Sequence, residues 1–295
     1  MSQILHIEIK QDRPGFDRFF GCWVIRDERS VLVDVGPAAT AGRLLEGLEA
    51  AGVDRVDWVL LTHIHIDHAG GLAAVLDRFP GAKAVSHEKG LRFLADPAKL
   101  WEGSLAVLGD LARFYGRPPA VDEDRLAPHT EPGLDGLRVI ETPGHAPHHL
   151  SFSYRGRLFT GEAGGNFFLL GGRGYLRPST PPRFFLETAL ASVDRLLELP
   201  DQPVHYAHFE EAGSSREMLG RFRDQLPRWR DIIAREAGRG GIEGLETRCV
   251  EALLAQDPEI ESFRLMAPQA QSRERRFIAN SVRGFLGFLG VEGYQ

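Results

Sequence analysis

Apolar residues recur with alternating strand-like and helix-like spacing along the first 90 residues of the chain. Leucines at helical spacing predict a helix over residues 38–51, and a short apolar run at 56–61 predicts the strand that follows it. A second helix is predicted at about 71–79 and a second strand at 82–86. Upstream of these elements, β-branched and aromatic residues bounded by turn residues predict a three-stranded meander at 5–9, 20–25 and 31–35.

The middle of the chain continues this mixture with longer irregular segments. Two helices are predicted within residues 91–115, followed by a proline-rich loop at 116–132. The glycine- and proline-rich segment 161–182 is predicted to be irregular. The remaining predicted elements are strands at 137–140, 150–154, 157–160 and 203–207 and a helix at 183–199.

After Ser214 the pattern is helical throughout, with a possible hinge at residues 238–244. Mixed blocks followed by helices alone predict an α/β layered core with an α-helical C-terminal extension. We place the first domain at residues 1–213, with a helical insertion at about 91–132, and the extension at 214–295. The apolar positions of the last helix suit packing within the chain or a homodimer contact.

Charge and composition narrow the range of partners. The net charge of −6 and the pI near 6.0 argue against a nucleic-acid partner, which would need a basic surface. The densest basic stretch, residues 273–276, is interpreted as the solvated face of a helix. No apolar run approaches the roughly 20 residues of a membrane span, so we expect no membrane partner.

The cysteine usage favours a reducing compartment. Cys22 and Cys249 lie far apart and have no CxxC partner, which argues against a disulfide framework. Residues 1–10 alternate like a strand and do not resemble a charged and then apolar leader. We therefore expect a cytoplasmic location.

Four residues with metal-binding side chains follow the apolar run at 56–61. In the run HxHxDH, His63 and His65 lie two positions apart and point the same way while the backbone is extended, so they can bind one ion together. A turn before the next helix would direct Asp67 and His68 to a neighbouring point. Imidazole and carboxylate suit Zn²⁺, and also Mn²⁺, Fe²⁺ or Co²⁺. Three of the 11 histidines fall in this window, which favours a metal site over exposed loop histidines.

The HxHxDH run resembles the signature of the metallo-β-lactamase fold superfamily, which includes glyoxalase II-like thioesterases and lactonases. Residues 31–36, 142–149, 159–162 and 206–208 resemble the other motifs of that family in the expected order. The resemblance implies a four-layer αββα sandwich for the first, catalytic domain. It also implies that His145 completes the ligands of one ion with His63 and His65, and that His208 completes those of the other with Asp67 and His68.

Glu162 departs from the family pattern, which has an aspartate that bridges both ions. The glutamate adds one methylene, so the carboxylate moves by more than a bond length. The resemblance implies that Glu162 still binds metal. This departure leaves open how many ions the site binds and which metal they are.

The other histidines and one aspartate are interpreted differently. His205 competes with His208 as a ligand, whereas Asp34 is expected to orient a ligand histidine. The remaining histidines are not expected to bind metal. His148 and His149 are expected to be packing or supporting residues, and His87 is expected near the mouth of the site. His6 and His129 are expected to be structural or exposed.

The resemblance implies a metal-dependent hydrolase that uses two divalent ions, most simply Zn with Fe or Mn possible. A metal-bound hydroxide at this binuclear site would attack a small-molecule ester, thioester or lactone, and Asp67 would act as the catalytic residue that orients it or transfers a proton. Neither a GxSxG elbow nor a GxxxxGK[ST] loop occurs. Trp101, Leu105, Leu108 and Phe114 of the insertion are candidates for an apolar lid, although burial against the core is the more common use of such a helical face. Phe167, Phe168 and Tyr175 of the glycine-rich segment are candidates for a further apolar wall.

Three alternatives stay open at this point. The first is an iron-dependent oxidoreductase on the same fold, although His65 is not replaced by an acidic residue. The second is a nucleic-acid phosphodiesterase, which the acidic balance disfavours. The third is a non-catalytic ligand-binding member in which Glu162 has removed catalysis.

Overall fold

The opening meander forms one edge of a six-stranded sheet. The computed structural model describes residues 2–294, so Met1 and Gln295, the outermost residues of the two predicted domains, lie outside the described residues. The first three strands are antiparallel and the last three join in parallel. In spatial order they are β1 (Gln3–Glu8), β2 (Gly21–Arg26), β3 (Ser30–Val33), β4 (Trp58–Leu60), β5 (Lys83–Ser86) and β6 (Leu126–Pro128).

A second sheet of five strands faces the first. Its strands are β7 (Arg138–Glu141), β8 (Leu150–Tyr154), β9 (Arg157–Gly161), β12 (Val204–Tyr206) and β13 (Glu211–Ala212), in the spatial order β13-β12-β9-β8-β7. Alternate residues of both sheets meet between them, as Trp23, Phe152 and Phe159 do in one buried cluster. The indole Nε1 of Trp23 also donates to the carbonyl oxygen of Tyr206 at 2.8 Å, which ties the two sheets together.

Helices cover the outer face of each sheet. The intervening strand residues, such as Val24 and Leu32, face away from the inter-sheet cluster and belong to the large outer core, as the two-residue period of a strand requires. The αββα layering is therefore confirmed. The helices before the extension are α1 (Ala41–Ala50), α2 (Ile66–Ala69), α3 (Leu72–Arg78), α4 (Glu88–Ala95), α5 (Ala98–Leu108), α6 (Asp110–Tyr115) and α7 (Leu186–Leu197).

The C-terminal extension is helical, as predicted, and packs back onto the two-sheet part of the chain. It consists of α8 (Ser215–Gly238), α9 (Leu245–Gln256) and α10 (Pro268–Phe288). Gly240 and Gly241, in the predicted hinge, have left-handed φ angles and separate α8 from α9. Whether the extension is an independent domain stays a prediction. Among the described residues, no helix has both the length and the hydropathy of a membrane span.

Two segments that the sequence pattern left as loops contain strands. Segment 161–182 holds the hairpin β10 (Asn166–Leu170) and β11 (Arg173–Arg177), so the expectation of irregular structure was wrong there. Gly171 and Gly172 both have positive φ and form the two-residue turn that such a hairpin needs. The loop predicted at 116–132 likewise contains β6, a short edge strand.

The basic stretch at residues 273–276 is only partly a solvated face. Arg273 and Glu274 are buried, because the Glu274 carboxylate binds both the Arg273 and the Arg177 guanidinium groups and accepts a hydrogen bond from the Tyr175 hydroxyl at 3.0 Å. This buried network joins α10 to the β10–β11 hairpin.

We expect Glu274→Gln to destabilise the fold strongly. The substitution leaves two buried guanidinium groups without their counterion, and losing one partner of a buried ion pair costs about 3–5 kcal/mol. As a control, Glu251→Gln removes the exposed ion pair with Arg275, which is worth less than about 1 kcal/mol. Urea unfolding of both variants tests this, and equal, small losses would contradict the assignment.

Candidate metal centre

The predicted ligands lie after the carboxyl ends of strands, either in loops or, for Asp67 and His68, in the short helix α2. His63, His65, Asp67 and His68 follow β4, which pairs in parallel with β3. In the opposite sheet β9 leads directly into Glu162, and the parallel strand β12 leads to the loop of His208. His145 lies between β7 and β8. The two sheets therefore bring their loops together at one end of the sandwich.

The first group of donor atoms belongs to His63, His65, His145 and Glu162. Their nearest ligand atoms all lie within 4.8 Å of one another. His145 Nε2 lies 2.8 Å from Glu162 Oε2 and 3.0 Å from His65 Nδ1, and His63 Nε2 lies 3.6 Å from the same carboxylate oxygen. This is the set that the resemblance assigned to one ion.

The second group consists of Asp67, His68 and His208, again with ligand atoms within 4.8 Å. His68 Nε2 lies 3.7 Å from Asp67 Oδ2. Glu162 reaches this group too, because its Oε2 is 3.8 Å from His68 Nε2 and its Oε1 is 3.3 Å from His208 Nε2. The longer glutamate side chain thus lies between both groups, although metal binding by these seven residues stays a prediction.

Hydrogen bonds to the far side of two rings fix which nitrogen carries the proton. His145 Nδ1 lies 3.0 Å from the Ser179 carbonyl oxygen and His208 Nδ1 lies 3.4 Å from that of Phe19. A carbonyl oxygen only accepts, so each Nδ1 carries a hydrogen, and each Nε2, which faces Glu162, is the nitrogen left to bind a metal. This is the arrangement of a metal-binding histidine supported from behind.

Asp34 supports two further rings, those of His63 and His68. The Thr62 N–H donates to Asp34 Oδ1 at 2.8 Å, and the Thr62 hydroxyl donates to Oδ2 at 2.8 Å. His63 Nδ1 then donates to Thr62 Oγ1 at 3.0 Å, and His68 Nδ1 donates to Asp34 Oδ2 at 3.1 Å. Asp34 thus has the orienting position expected from the sequence.

The buried site fits a bound cation. His63 Nε2 and His68 Nε2 are buried and have no hydrogen-bond partner among the described residues. Burial, followed by the neighbouring histidines, lowers the pKa of His63 well below its usual value, which keeps the ring in the neutral form that binds metal. Lone pairs that face one another and a carboxylate are stabilised by a cation between them, and the imidazole–carboxylate donor set suits Zn²⁺.

The remaining histidines near the centre have other roles. His149 Nε2 accepts a hydrogen bond from the Glu162 backbone N–H at 3.0 Å, so its lone pair already has a partner and it supports the loop of Glu162. Gly161 lies so close that a Cβ atom there would be 2.4 Å from His149 Nε2. His205 packs between Trp23 and Phe159 in the inter-sheet core, away from the centre.

His87 and His129 form a separate cluster with Glu141. Their rings stack at 4.3 Å, and His129, expected to be structural or exposed, is buried. The Nδ1 atoms of both rings accept backbone N–H groups, at 3.1 Å and 3.2 Å. Each neutral ring therefore carries its proton on Nε2, the atom that faces the Glu141 carboxylate. The two rings therefore have their hydrogen bonds within this cluster, and neither offers a free lone pair to a metal.

A cavity of about 490 Å³ opens above the centre. His65, Asp67, His145, Glu162 and His208 form its floor. One wall comes from the insertion and the other from α10. The residues that line these walls include Lys99, Leu100, Val107, Leu108, Tyr115, Asn166, Arg177, Phe277 and Arg283. Of the apolar residues expected at this rim, Leu108 lines the cavity, whereas Phe167, Phe168 and Tyr175 are buried in the core.

Of these wall residues, only Leu108 was expected from the sequence, and Asn166, Arg177 and Tyr115 are among those that sequence reasoning missed. Asn166 and Arg177 lie on the unpredicted hairpin, for which the Gly171-Gly172 pair between two β-rich runs was the available signal. Tyr115 ends α6, and its hydroxyl is buried without a hydrogen-bond partner among the described residues. No local pattern distinguishes it from a core aromatic residue.

Comparison with known proteins identifies relatives of the whole site. A model described as the metallo-beta-lactamase superfamily matches residues 22–208. The metallo-beta-lactamase fold-containing protein ST1585 of Sulfurisphaera tokodaii is 33% identical over 196 residues, covering 62% of this chain and 69% of that protein. The hydroxyacylglutathione hydrolase of Aeromonas hydrophila is 31% identical over 198 residues, covering 67% of this chain but only 63% of its own length.

Solved structures agree on the fold. The crystal structure of ST1585 from Sulfolobus tokodaii superposes with a TM-score of 0.70 at 23% identity, covering 96% of this chain and 98% of that one. The BLEG-1 B3 metallo-beta-lactamase superposes with a TM-score of 0.52 at 26% identity, covering 73% and 96%. The region matched by the family model spans more than half of the chain and contains all seven predicted ligands, so the chain belongs to the metallo-beta-lactamase superfamily.

Proposed function

We propose that this protein is a hydrolase that uses two divalent metal ions, zinc in the first instance, to cleave a small ester, thioester or lactone. The convergence of seven ligand side chains from both sheets beneath a cavity carries the proposal. His63, His65 and His145 would hold one ion, Asp67, His68 and His208 the other, and Glu162 would contact both. Two ions held there would supply a polarised, acidified water and a Lewis acid for the substrate carbonyl.

The side chains themselves orient the reactants. Asp67 is half-buried and lines the cavity, where its carboxylate can accept a proton from the attacking water and return one to the leaving group. Asp34, Thr62 and His149 keep the ligand rings and the Glu162 loop in place. Because these supports are buried, they restrict the rotation of the ligands before a substrate binds.

The cavity walls favour an acyl substrate with an apolar part and a negative charge. Leu100, Val107 and Leu108 on one face of α5 are apolar and line the cavity. Lys99 also lines it and has no ion pair among the described residues. Relatives of this chain named hydroxyacylglutathione hydrolase act on an acyl conjugate of glutathione, which places anionic thioesters first among the substrates that we propose.

Partner and location stay predictions: a small-molecule substrate, no nucleic acid, no membrane, a possible homodimer and a cytoplasmic location. The iron-dependent oxidoreductase, the nucleic-acid phosphodiesterase and the non-catalytic binding protein remain the alternatives. The first experiment below separates them from the hydrolase, because only the hydrolase turns over acyl substrates.

We expect the zinc-loaded protein to hydrolyse at least one member of a panel of S-acyl glutathione thioesters, p-nitrophenyl esters and γ-lactones. Removal of metal with a chelator should abolish turnover, and added Zn²⁺ should restore it. Asp67→Asn should lower kcat/KM by about 100-fold or more, the usual size of a lost acid–base contribution. Asp77→Asn, on the exposed side of α3, is the matched control and should leave kcat/KM unchanged. Full metal loading without turnover of any panel member would refute the hydrolase proposal.

Elemental analysis after dialysis against Zn²⁺ tests the number of ions. We expect about two ions per chain in the wild type, as in other two-metal sites. In Glu162→Asp we expect one firmly bound ion, because the shortened side chain withdraws by about one bond length, ~1.5 Å, from both His145 and His208. Glu141→Gln should not change the ion count, since the His87–His129 cluster has no free lone pair. Two firmly bound ions in Glu162→Asp would contradict the bridging position of the glutamate.

A further inference from the structure

Glu162 and Asn166 are brought together by a tight turn. The backbone N–H of Gly165 donates to the Glu162 carbonyl oxygen at 3.1 Å, and Gly165 has a φ of +82°, a conformation that favours glycine. A Cβ atom at Gly165 would also lie 2.7 Å from the Phe222 ring. The turn returns the chain so that Asn166, the first residue of β10, faces the side chain four positions before it.

The contact between the two side chains is buried and directional. Asn166 Nδ2 donates to Glu162 Oε1 at 3.0 Å, and both residues are buried, with Asn166 only 1% exposed. The opposite orientation of the amide would place Oδ1 against the carboxylate, so the carboxylate selects the orientation with the amino group towards it. Asn166 Oδ1 then has no partner among the described residues.

This hydrogen bond determines which oxygen of the Glu162 carboxylate faces which of the two groups of candidate ligands. With Oε1 held by Asn166 and near His208 Nε2, the other oxygen faces His145, His63 and His68. Glutamate has one more rotatable bond than aspartate, and an unrestrained buried glutamate would exchange its oxygens among these nitrogens. The shorter aspartate would lie about one bond length, ~1.5 Å, from this position.

We propose that Asn166 is a positioning residue that fixes the Glu162 carboxylate as the bridge between the two metal sites, so that a glutamate can act where the family has an aspartate. The inference rests on the proposed two-ion site and not on its hydrolytic activity. Supporting residues behind metal ligands typically contribute tenfold to a hundredfold to metal affinity. The hairpin that carries Asn166 is itself held by the Arg177–Glu274 pair, which connects the C-terminal extension to the bridge.

A double-mutant cycle tests the proposal with a readout that does not depend on turnover. The Zn²⁺ dissociation constant of the more weakly bound ion is measured by competition with a chromophoric chelator in wild type, Asn166→Ala, Glu162→Asp and the double variant. Asn166→Ala should raise this constant tenfold or more in the wild-type background. In the Glu162→Asp background the same change should have less than a twofold effect, because the shorter carboxylate does not reach Asn166.

A merely structural role of Asn166 would give the same fold-change in both backgrounds, and that result would overturn the proposal, as would unchanged affinity in Asn166→Ala. Asn280→Ala, which also lines the cavity but bonds to Arg283, is the control and should leave zinc affinity unchanged. If Asn166→Ala does not fold, Asn166→Leu keeps the side-chain shape without the donor. Zinc binding without hydrolysis would defeat the proposed activity alone, whereas a wild type that binds no zinc would defeat both.

Discussion

The Asp34 carboxylate lies beneath the candidate metal centre and holds three hydrogen-bond donors at once. A buried carboxylate is stable only when its oxygens are hydrogen-bonded or paired, and Asp34, at 2% exposure, obtains this from Thr62 and His68. In return it fixes the backbone after β4 and the orientation of the His63 and His68 rings, two of the predicted metal ligands. The residue adopts a positive φ of 53°, an unfavourable conformation that the surrounding contacts maintain. The geometry of the His63–His68 segment depends on this one group.

The ligand cluster imposes an electrostatic cost that the rest of the fold must offset. An unpartnered buried donor or acceptor costs about 1–3 kcal/mol, and His63 and His68 each carry one. The two-sheet core and the outer helices supply the apolar burial that keeps these groups in place. Unpartnered nitrogens of this kind are expected at a site that binds a cation, because ion binding then adds directly to the stability of the folded state.

The local sequence motifs predicted the candidate metal ligands better than they predicted which residues are buried around them. His63, His65, Asp67 and His68 lie within six residues, so their proximity follows from the covalent chain. His145, Glu162 and His208 were placed by the resemblance, since no local rule links residues so distant in sequence. Arg273 shows the limit of such reasoning, because its burial depends on packing over the Phe19 ring, which comes from a segment far away in the sequence.

The glycines of segment 161–182 did not reveal from the sequence whether they lie in a loop or in a hairpin turn, and the reason is physical. The same residue ends ordered structure in some loops and permits the tight turns of a hairpin in others. In segment 161–182 the second use applies at Gly165 and at the Gly171-Gly172 turn. The hairpin was missed for that reason, and with it Asn166, whose contact with Glu162 cannot be inferred without the turn between them.

The part of the chain that the family model matches and the part outside that match contribute different features to the site. The family model ends at His208, so it includes all the predicted metal ligands but none of α10. Phe277 and Arg283 on that helix line the cavity, opposite the apolar face of α5. The chemistry that relatives share is therefore located on the cavity floor, whereas one wall of the cavity comes from a segment outside the family match. Similarity across residues 22–208 supports transfer of the reaction type, whereas the space above the candidate metal centre is shaped by α10 and α5, of which α10 lies outside that similarity.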